Sequence, residues 1–275
     1  GPMLGIAPDT GPGETASLAQ QREAKKQAAS KFSLPTKPID FKKLENIHVD
    51  IKLNSSTIKT DLPIDNLTTH ENIQNGHLTL SPLNFGVADG KISSHVEIDA
   101  RAKPVQTKVE TEIRHLRLKQ ILKKWDISAD SAGLIGGKAI YWLKGNSLAD
   151  MFSSADGGML MLMTGGKLDD LLVELSGLDL GEALVALFDK ESNTQINCAF
   201  LDLPTKNGLI TISKLIIDTQ DTIFLGSGSI NLKKEQLDVV IDPRPKDLSV
   251  FSARAPLYIE GTFKEPTFTP GASAI

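Results

Sequence analysis

The sequence predicts a mainly β protein built around one long, curved antiparallel sheet, taco-like or shaped as a half-open barrel, with a few short helices on or capping its apolar face. Two observations carry this prediction. Residues 196–268 form a series of strand-like runs separated by Lys206-Asn207-Gly208, Thr219-Gln220-Asp221 and Lys233-Lys234-Glu235. An Asn-Gly pair lets two successive residues adopt positive φ, which suits a tight hairpin. The second observation is a strict alternation of apolar and polar residues earlier in the chain.

The alternation begins at residues 47–53, where apolar side chains are separated by His48, Asp50 and Lys52. It recurs at 78–80, 96–100, 105–113, 237–239 and 257–261. Side chains alternate between the two faces of a strand, so this pattern predicts a sheet with one dry face and one wet face. A sandwich would cover the dry face with a second sheet, whereas a groove would cover it with lipid or helices. The early positions expected to line a common groove or core are Ile47, Val49, Ile51, Leu53, Leu78, Leu80, Val96, Ile98, Val105, Val109 and Ile113.

Helices are predicted in four segments of the chain. Residues 16–30 read as a solvated peripheral helix, and residues 118–125 as a short helix with one apolar stripe. Ser147 has the position of an N-cap for a helix that begins at Leu148. Residues 168–188 predict a pair of helices broken at Gly177, whose apolar stripes suit packing on the dry side of the sheet. We expect these stripes to be core rather than ligand contacts.

One run departs from the alternation. Residues 159–163, Met-Leu-Met-Leu-Met, are continuously apolar between two Gly-Gly pairs. Strands buried on both faces have this composition, so we expect a strand buried beneath the neighbouring helices. A methionine-rich lining of a lipid cavity is the alternative, because the flexible thioether adapts to varied shapes. Cys198, the single cysteine, is predicted to be a small buried hydrophobe.

No residue pattern indicates catalysis, a metal or a cofactor. The five histidines at positions 48, 70, 77, 95 and 115 lack the spacing of a zinc site. Neither a nucleophile elbow nor a phosphate-binding loop occurs, and the loose glycine pattern at residues 11–16 is interrupted by Pro12. The net charge of −4 gives no electrostatic reason to bind nucleic acid. We therefore expect a protein that is not an enzyme and has no cofactor or metal.

The 275 residues suffice for a sizeable core, and no run approaches the roughly 18 apolar residues of a membrane span. Gly1-Pro2 resembles the remnant that a tag-cleaving protease leaves. The expected organisation is a remnant, peripheral helix and linker over residues 1–35, a β-groove domain over 36–270 and a short tail over 271–275.

Several segments resemble the AsmA family of Gram-negative envelopes. They are the run Asp242-Pro243-Arg244-Pro245-Lys246-Asp247, the closing Gly-Thr-Phe-x-x-Pro at 261–266, the leucine-rich stretch 171–188, and the shorter runs 62–67 and 83–87. The resemblance implies a periplasmic domain, anchored to the inner membrane in the full-length protein by an N-terminal helix that this chain lacks. It also implies kinship with TamB-like and bridge-like lipid-transfer proteins, whose curved sheets cradle acyl chains.

On that resemblance, phospholipid is the expected partner and the eleven early apolar positions are the candidate lipid-binding residues. The implied function is phospholipid transport between the inner and outer membranes and outer-membrane homeostasis. The alternative is a non-catalytic structural or interaction module that modulates outer-membrane protein assembly, because a groove filled by its own helices has little room for lipid.

Overall fold

A computed structural model describes residues 30–58, 64–118, 120, 133–166, 195–246 and 255–271. Fourteen strands lie in these ranges. They are β1 (His48–Ile58), β2 (Ile64–Gln74), β3 (His77–Val87), β4 (Gly90–Asp99), β5 (Gln106–Arg117), β6 (Leu134–Lys144), β7 (Asp156–Thr164), β8 (Ile196–Lys206), β9 (Leu209–Thr211), β10 (Lys214–Thr219), β11 (Thr222–Asn231), β12 (Gln236–Pro245), β13 (Leu257–Thr262) and β14 (Pro266–Pro270). A 3-10 helix (Phe41–Leu44) precedes β1, and the short helix α1 (Leu148–Ser153) joins β6 to β7.

All fourteen strands belong to one antiparallel sheet in which sequential strands are neighbours. Only β9 departs from the simple order, since β9 and β10 both pair with β8 and with β11 and so share one position in the sheet. The mainly β prediction is confirmed. Hairpin turns explain the topology, because a chain that reverses through short turns places each strand beside the previous one.

The predicted turns are confirmed where they lie in described residues. Asn207 and Gly208 have φ values of 48° and 70° between β8 and β9, as a tight hairpin requires. Glu235, with φ 51°, ends the turn between β11 and β12. The N-cap prediction is also confirmed, since the Oγ of Ser147 accepts a hydrogen bond of 3.1 Å from the amide of Asp150.

The core lies on one face of the sheet. Buried residues gather in three clusters, centred on Ile73 and Leu78, on Phe224 and Leu257, and on Leu203. All five residues share one face in the strand register, and we call it the inner face. The opposite, outer face carries most of the charged side chains.

The strand at residues 159–163 is not buried on both faces, so that expectation is wrong. Its methionines are half-buried on the inner face, whereas Leu160 and Leu162 are 47% and 48% exposed on the outer face. When both faces of a strand are apolar, the sequence does not indicate which face is exposed to solvent. Cys198 is likewise half-buried rather than buried, because it lies on the outer face opposite Asp218 and Thr164.

The helix predictions at 16–30 and 168–188 fall outside the described residues apart from Ser30, as does most of the predicted helix at 118–125. Within the described part of that last segment, Leu118 and Gln120 are helical.

Candidate functional site: the inner face of the sheet

The inner face of the sheet is largely apolar. Directly opposed residues of an antiparallel pair share a face, so the register defines rows of side chains that run across the strands. We count these rows from the strand ends that lie nearest the 3-10 helix. The first row contains Val49, Ile73, Leu78, Ile98, Thr107 and Leu143. The second contains Ile51, Glu71, Leu80, Val96, Val109, Tyr141 and Gly157. The third contains Leu53, Thr69, Leu83, Ser94, Thr111, Ala139, Met159 and Leu203.

The register places all the early apolar candidates on β1, β3, β4 and β5 on this one face. Ile47 and Val105, which flank β1 and β5, join it through the cluster around Ile73. Their exposure differs along the sheet. Leu78 is 6% exposed, whereas Ile51 on the edge strand β1 is 51% exposed. His48, Asp50 and Lys52 are exposed on the outer face, as their alternation indicates. Lipid contact by the candidates stays a prediction.

Consider the described strand positions from residue 69 onward. Among them, Glu71 is the one charged residue that the register places on the inner face. It lies opposite Ile51 on β1 and Leu80 on β3. One row further from the 3-10 helix, the hydroxyls of Ser94 and Thr111 are 3.0 Å apart and bond to each other. The inner face thus carries polar side chains on β2, β4 and β5 among its apolar ones.

Flexible methionine side chains line the inner face of β7. Met159, Met161 and Met163 lie opposite Leu203, Leu201 and Ala199 of β8. Unbranched thioether chains fill irregular space without one fixed shape, so β7 can adapt to varied apolar contacts. The weaker of the two interpretations drawn from the sequence, a methionine-rich lining, therefore matches the observed orientation.

The family-like run 242–247 has a structural explanation. Pro243 and Pro245 lie on the inner face opposite Phe224 and Thr222, whereas Asp242 and Arg244 pair on the outer face at 2.6 Å. β12 pairs with β13 only as far as Ile241. Among the described residues, the prolines therefore lie where β12 pairs with β11 alone, which suits residues that cannot donate a ladder hydrogen bond.

Charged groups of the outer face form ion pairs rather than a reactive cluster. His70 and His95 contact the carboxylates of Asp50 and Glu97 at 3.0 Å and 2.7 Å. The hydrogen bonds from Arg101 lower the pKa of Asp99 to about 2. Within the described ranges, no group of three or more His, Cys, Asp or Glu side chains could hold a metal ion.

The sequence did not predict that an N-terminal segment packs against one end of the sheet. Residues 30–44, which we call the strap, run along the hairpin turns at one end of the sheet. Phe41 and Leu44 are 6% and 1% exposed and pack in the cluster of Ile73 and Leu78. The spacing of Phe41 and Leu44 was the one available signal, and a single pair at i, i+3 is too short to predict a helix.

Comparison with known proteins gives the family. The AsmA family model matches residues 12–215. The chain belongs to the AsmA family. It is also 31% identical over 271 residues to the AsmA family protein YhjG of Escherichia coli (strain K12), an alignment that covers 97% of this chain and 39% of that relative. The chain thus spans well under half the length of this AsmA relative. No solved structure matches it significantly.

AsmA proteins are generally associated with the cell envelope. None of the helices in the described ranges of this chain is long and apolar enough to cross a membrane.

Proposed function

We propose that this AsmA domain holds phospholipid acyl chains against the inner face of its sheet, in the periplasm, as part of phospholipid transport between the inner and outer membranes. The observation that supports this is the continuity of the inner face, which carries apolar side chains on all fourteen strands and, in the described register from residue 69 onward, Glu71 as its one charged side chain. Removal of apolar surface from water stabilises a bound chain by roughly 25 cal/mol per Å².

The second candidate function is a structural or interaction module that takes part in outer-membrane protein assembly. Exposed apolar side chains on the outer face favour it. Leu162, Phe200 and Leu225 are 48%, 37% and 39% exposed, and with Ile216 they form one cross-strand row over β7, β8, β10 and β11. Large exposed apolar patches mark interaction sites in many proteins.

Mass spectrometry of organic extracts from the purified protein tests the first proposal, with two adjacent substitutions that separate the faces. Ala139 lies on the inner face between Thr111 and Met159, and Ile140 lies on the outer face between Glu110 and Gly158. Ala139→Lys places an ammonium group in the apolar path, where it has no partner. Ile140→Lys places the same group beside Glu110.

We expect co-purified phospholipid in the unaltered protein and in Ile140→Lys, and much less in Ala139→Lys, compared in samples that circular dichroism shows to be folded. Absence of lipid from the unaltered protein would contradict the proposal. Equal loss of lipid from both variants would favour the interaction module, because lipid retention would then not depend on the inner face.

A further inference from the structure

The two edge strands of the sheet, β1 and β14, differ in how they are protected. β14 is five residues long and has Pro266 and Pro270 at its ends, which cannot donate a backbone hydrogen bond. β1 is eleven residues long, contains no proline and, among the described residues, pairs with β2 alone and without a register shift. Proteins usually shorten, bend or cover such a long, regular edge, because it is a template for another strand. β1 therefore offers the backbone groups that a further strand requires.

The side chains of β1 are accessible on both faces of the sheet. On the inner face, Ile51 and Leu53 are 51% and 47% exposed. On the outer face, the side chain of Asp50 is 62% exposed although its carboxylate is hydrogen-bonded to β2, and Lys52 beside it is exposed as well. A strand that pairs with β1 must therefore match apolar side chains on one face and two opposite charges on the other.

The sequence of β1 matches itself when it is reversed. When a two-fold axis relates two antiparallel strands, directly opposed residues share a face, so the axis passes between one residue and its own copy. With the axis at Ile51, Val49 lies opposite Leu53 of the other copy. In the same register, Asp50 lies opposite Lys52 of the other copy, and the symmetry repeats this pair. Apolar residues thus oppose apolar residues, and each charge opposes its counter-charge.

The nearest alternative registers lack this match. An axis at Asp50 would oppose the two copies of this carboxylate, and an axis at Lys52 would oppose the two ammonium groups. Like charges directly opposite each other destabilise a sheet. An axis at Leu53 would oppose Ile51 to Ser55 and leave both charges without a counter-charge. The charges of β1 therefore favour a second β1 in one register.

We propose that β1 is the docking edge for a second copy of this chain, with the two β1 strands paired antiparallel about a two-fold axis at Ile51. The axis is perpendicular to the sheet, so the two inner faces lie on the same side. Val49, Ile51 and Leu53 of both copies then join the apolar rows of the two sheets into one surface. The inference is independent of the proposed lipid binding, because it rests on the edge strand alone.

Charge reversal on β1 tests this interface, with analytical ultracentrifugation of the whole chain over a range of concentrations. We expect a concentration-dependent dimer of the unaltered chain. Asp50→Lys would oppose two ammonium groups and Lys52→Asp two carboxylates, so each variant alone should raise the dissociation constant roughly tenfold or more. An equimolar mixture of the two variants restores opposite charges at both positions and should dimerise about as tightly as the unaltered chain.

Lys138→Asp is the matched control for charge reversal. Lys138 lies on the outer face of the interior strand β6, and its side chain is 72% exposed. We expect this variant to leave the dissociation constant unchanged, with all variants shown by circular dichroism to be folded. A chain that stays monomeric up to millimolar concentration would overturn the proposal and leave the edge to a strand of a different polypeptide. A dimer that both β1 variants leave unchanged, or that their mixture does not restore, would also overturn it.

Disulfide trapping tests the register without altering the charges. In a Cys198→Ser background, Ile51→Cys places two thiols opposite each other across the axis, with Cβ atoms roughly 4.5–5.5 Å apart. Leu53→Cys is the control, because its two thiols would lie roughly 14 Å apart. We expect mild oxidation to give a covalent dimer of Ile51→Cys and little of Leu53→Cys. Equal or greater trapping of Leu53→Cys would overturn the register, and no trapping of Ile51→Cys would overturn the interface.

Discussion

The carboxylate of Glu235 accepts a hydrogen bond of 2.9 Å from the amide of Leu34, a residue 201 positions earlier in the chain. A second strap amide, that of Ser33, bonds to the other carboxylate oxygen. These contacts join the N-terminal strap to the turn between β11 and β12. The Glu235 side chain thus links the strap to the C-terminal half of the sheet.

Glu235→Ala should destabilise the protein by about 1–3 kcal/mol, because two amides lose a buried charged acceptor. The matched control is Lys234→Ala, one position earlier in the same turn, where the side chain is exposed. We expect the control to change the free energy of unfolding by no more than ~0.5 kcal/mol. Chemical denaturation measures both values, and equal effects would show that the strap contacts contribute nothing to stability.

Asp218 and Lys246 give a pH-dependent contribution to stability. The Nζ of Lys246 lies 2.5 Å from Asp218 Oδ1 and 2.6 Å from the carbonyl of Thr219. The hydrogen bond from Lys246, followed by one from Asn197, lowers the pKa of Asp218. Because this pKa is lower in the folded state, the stabilisation is present at pH values above the unfolded pKa of about 4 and is lost as the pH falls through the folded pKa.

We expect the coupling energy between Asp218→Asn and Lys246→Met in a double-mutant cycle to be roughly 0.5–1 kcal/mol at pH 7, since both side chains keep partial contact with water. It should decrease towards zero as the pH falls below about 4. The Asp242–Arg244 pair is the control, because Arg244 is 66% exposed and should couple more weakly. A coupling that persists unchanged in acid would mean that the ion pair is not its source.

Sequence reasoning predicted the faces of the early strands because each alternates cleanly. Ile51 and Lys52 differ in polarity and therefore in face, and the register agrees. The turn at Asn207-Gly208 was predictable for a local reason, positive φ at two successive residues. These features depend on neighbours within a few residues.

The strap and the methionine strand depend on distant parts of the chain, which explains why both were missed. Nothing near Leu34 indicates that its amide meets Glu235. In residues 159–163 both faces are apolar, so composition could not show that Met161 faces inward while Leu162 is exposed. Outer-face exposure of leucine is a tertiary property that a single strand does not encode.

Gly76 and Gly165 form a matched pair for separating backbone strain from steric crowding. Both have positive φ, 81° and 70°. A Cβ at Gly76 would meet Cγ of Arg101 at 3.0 Å, whereas one at Gly165 would meet no described residue within 4 Å. Arg101 cannot withdraw freely, because its Nε and an amino nitrogen of its guanidinium bond to Asp99 at 2.8 Å and 3.0 Å.

Gly165→Ala should therefore cost about 1–2 kcal/mol, the penalty for an L-residue in the left-handed region. Gly76→Ala should cost more, since the crowding against Arg101 is added to the same backbone penalty. Thermal melts of the two variants measure the difference. If Gly76→Ala proved no more destabilising than Gly165→Ala, the close approach of Arg101 would have to be relieved without cost.

Ile51 and Glu71 face each other across β1 and β2 on the inner face, and this pair allows a test of the register by charge. The alternation in the sequence predicts Ile51 on the dry face, where an introduced carboxylate would be buried without a partner. Since Ile51 is 51% exposed, an introduced carboxylate would keep most of its hydration. Its main cost should be repulsion from Glu71, because like charges directly opposite each other destabilise a sheet.

Ile51→Lys should be more stable than Ile51→Asp by roughly 0.4–2 kcal/mol, the sum of a favourable and an avoided unfavourable cross-strand pair. The difference should shrink in high salt, which screens exposed charges. It should also nearly disappear when Glu71 is replaced by Gln, a change that keeps the side-chain shape and removes its charge. Denaturant titrations give the free energy of unfolding of Ile51→Lys and Ile51→Asp, each with and without Glu71→Gln, at low and at high salt. A difference that survives Glu71→Gln would place residue 51 opposite some other charge, and the inner-face register of β1 would then be wrong.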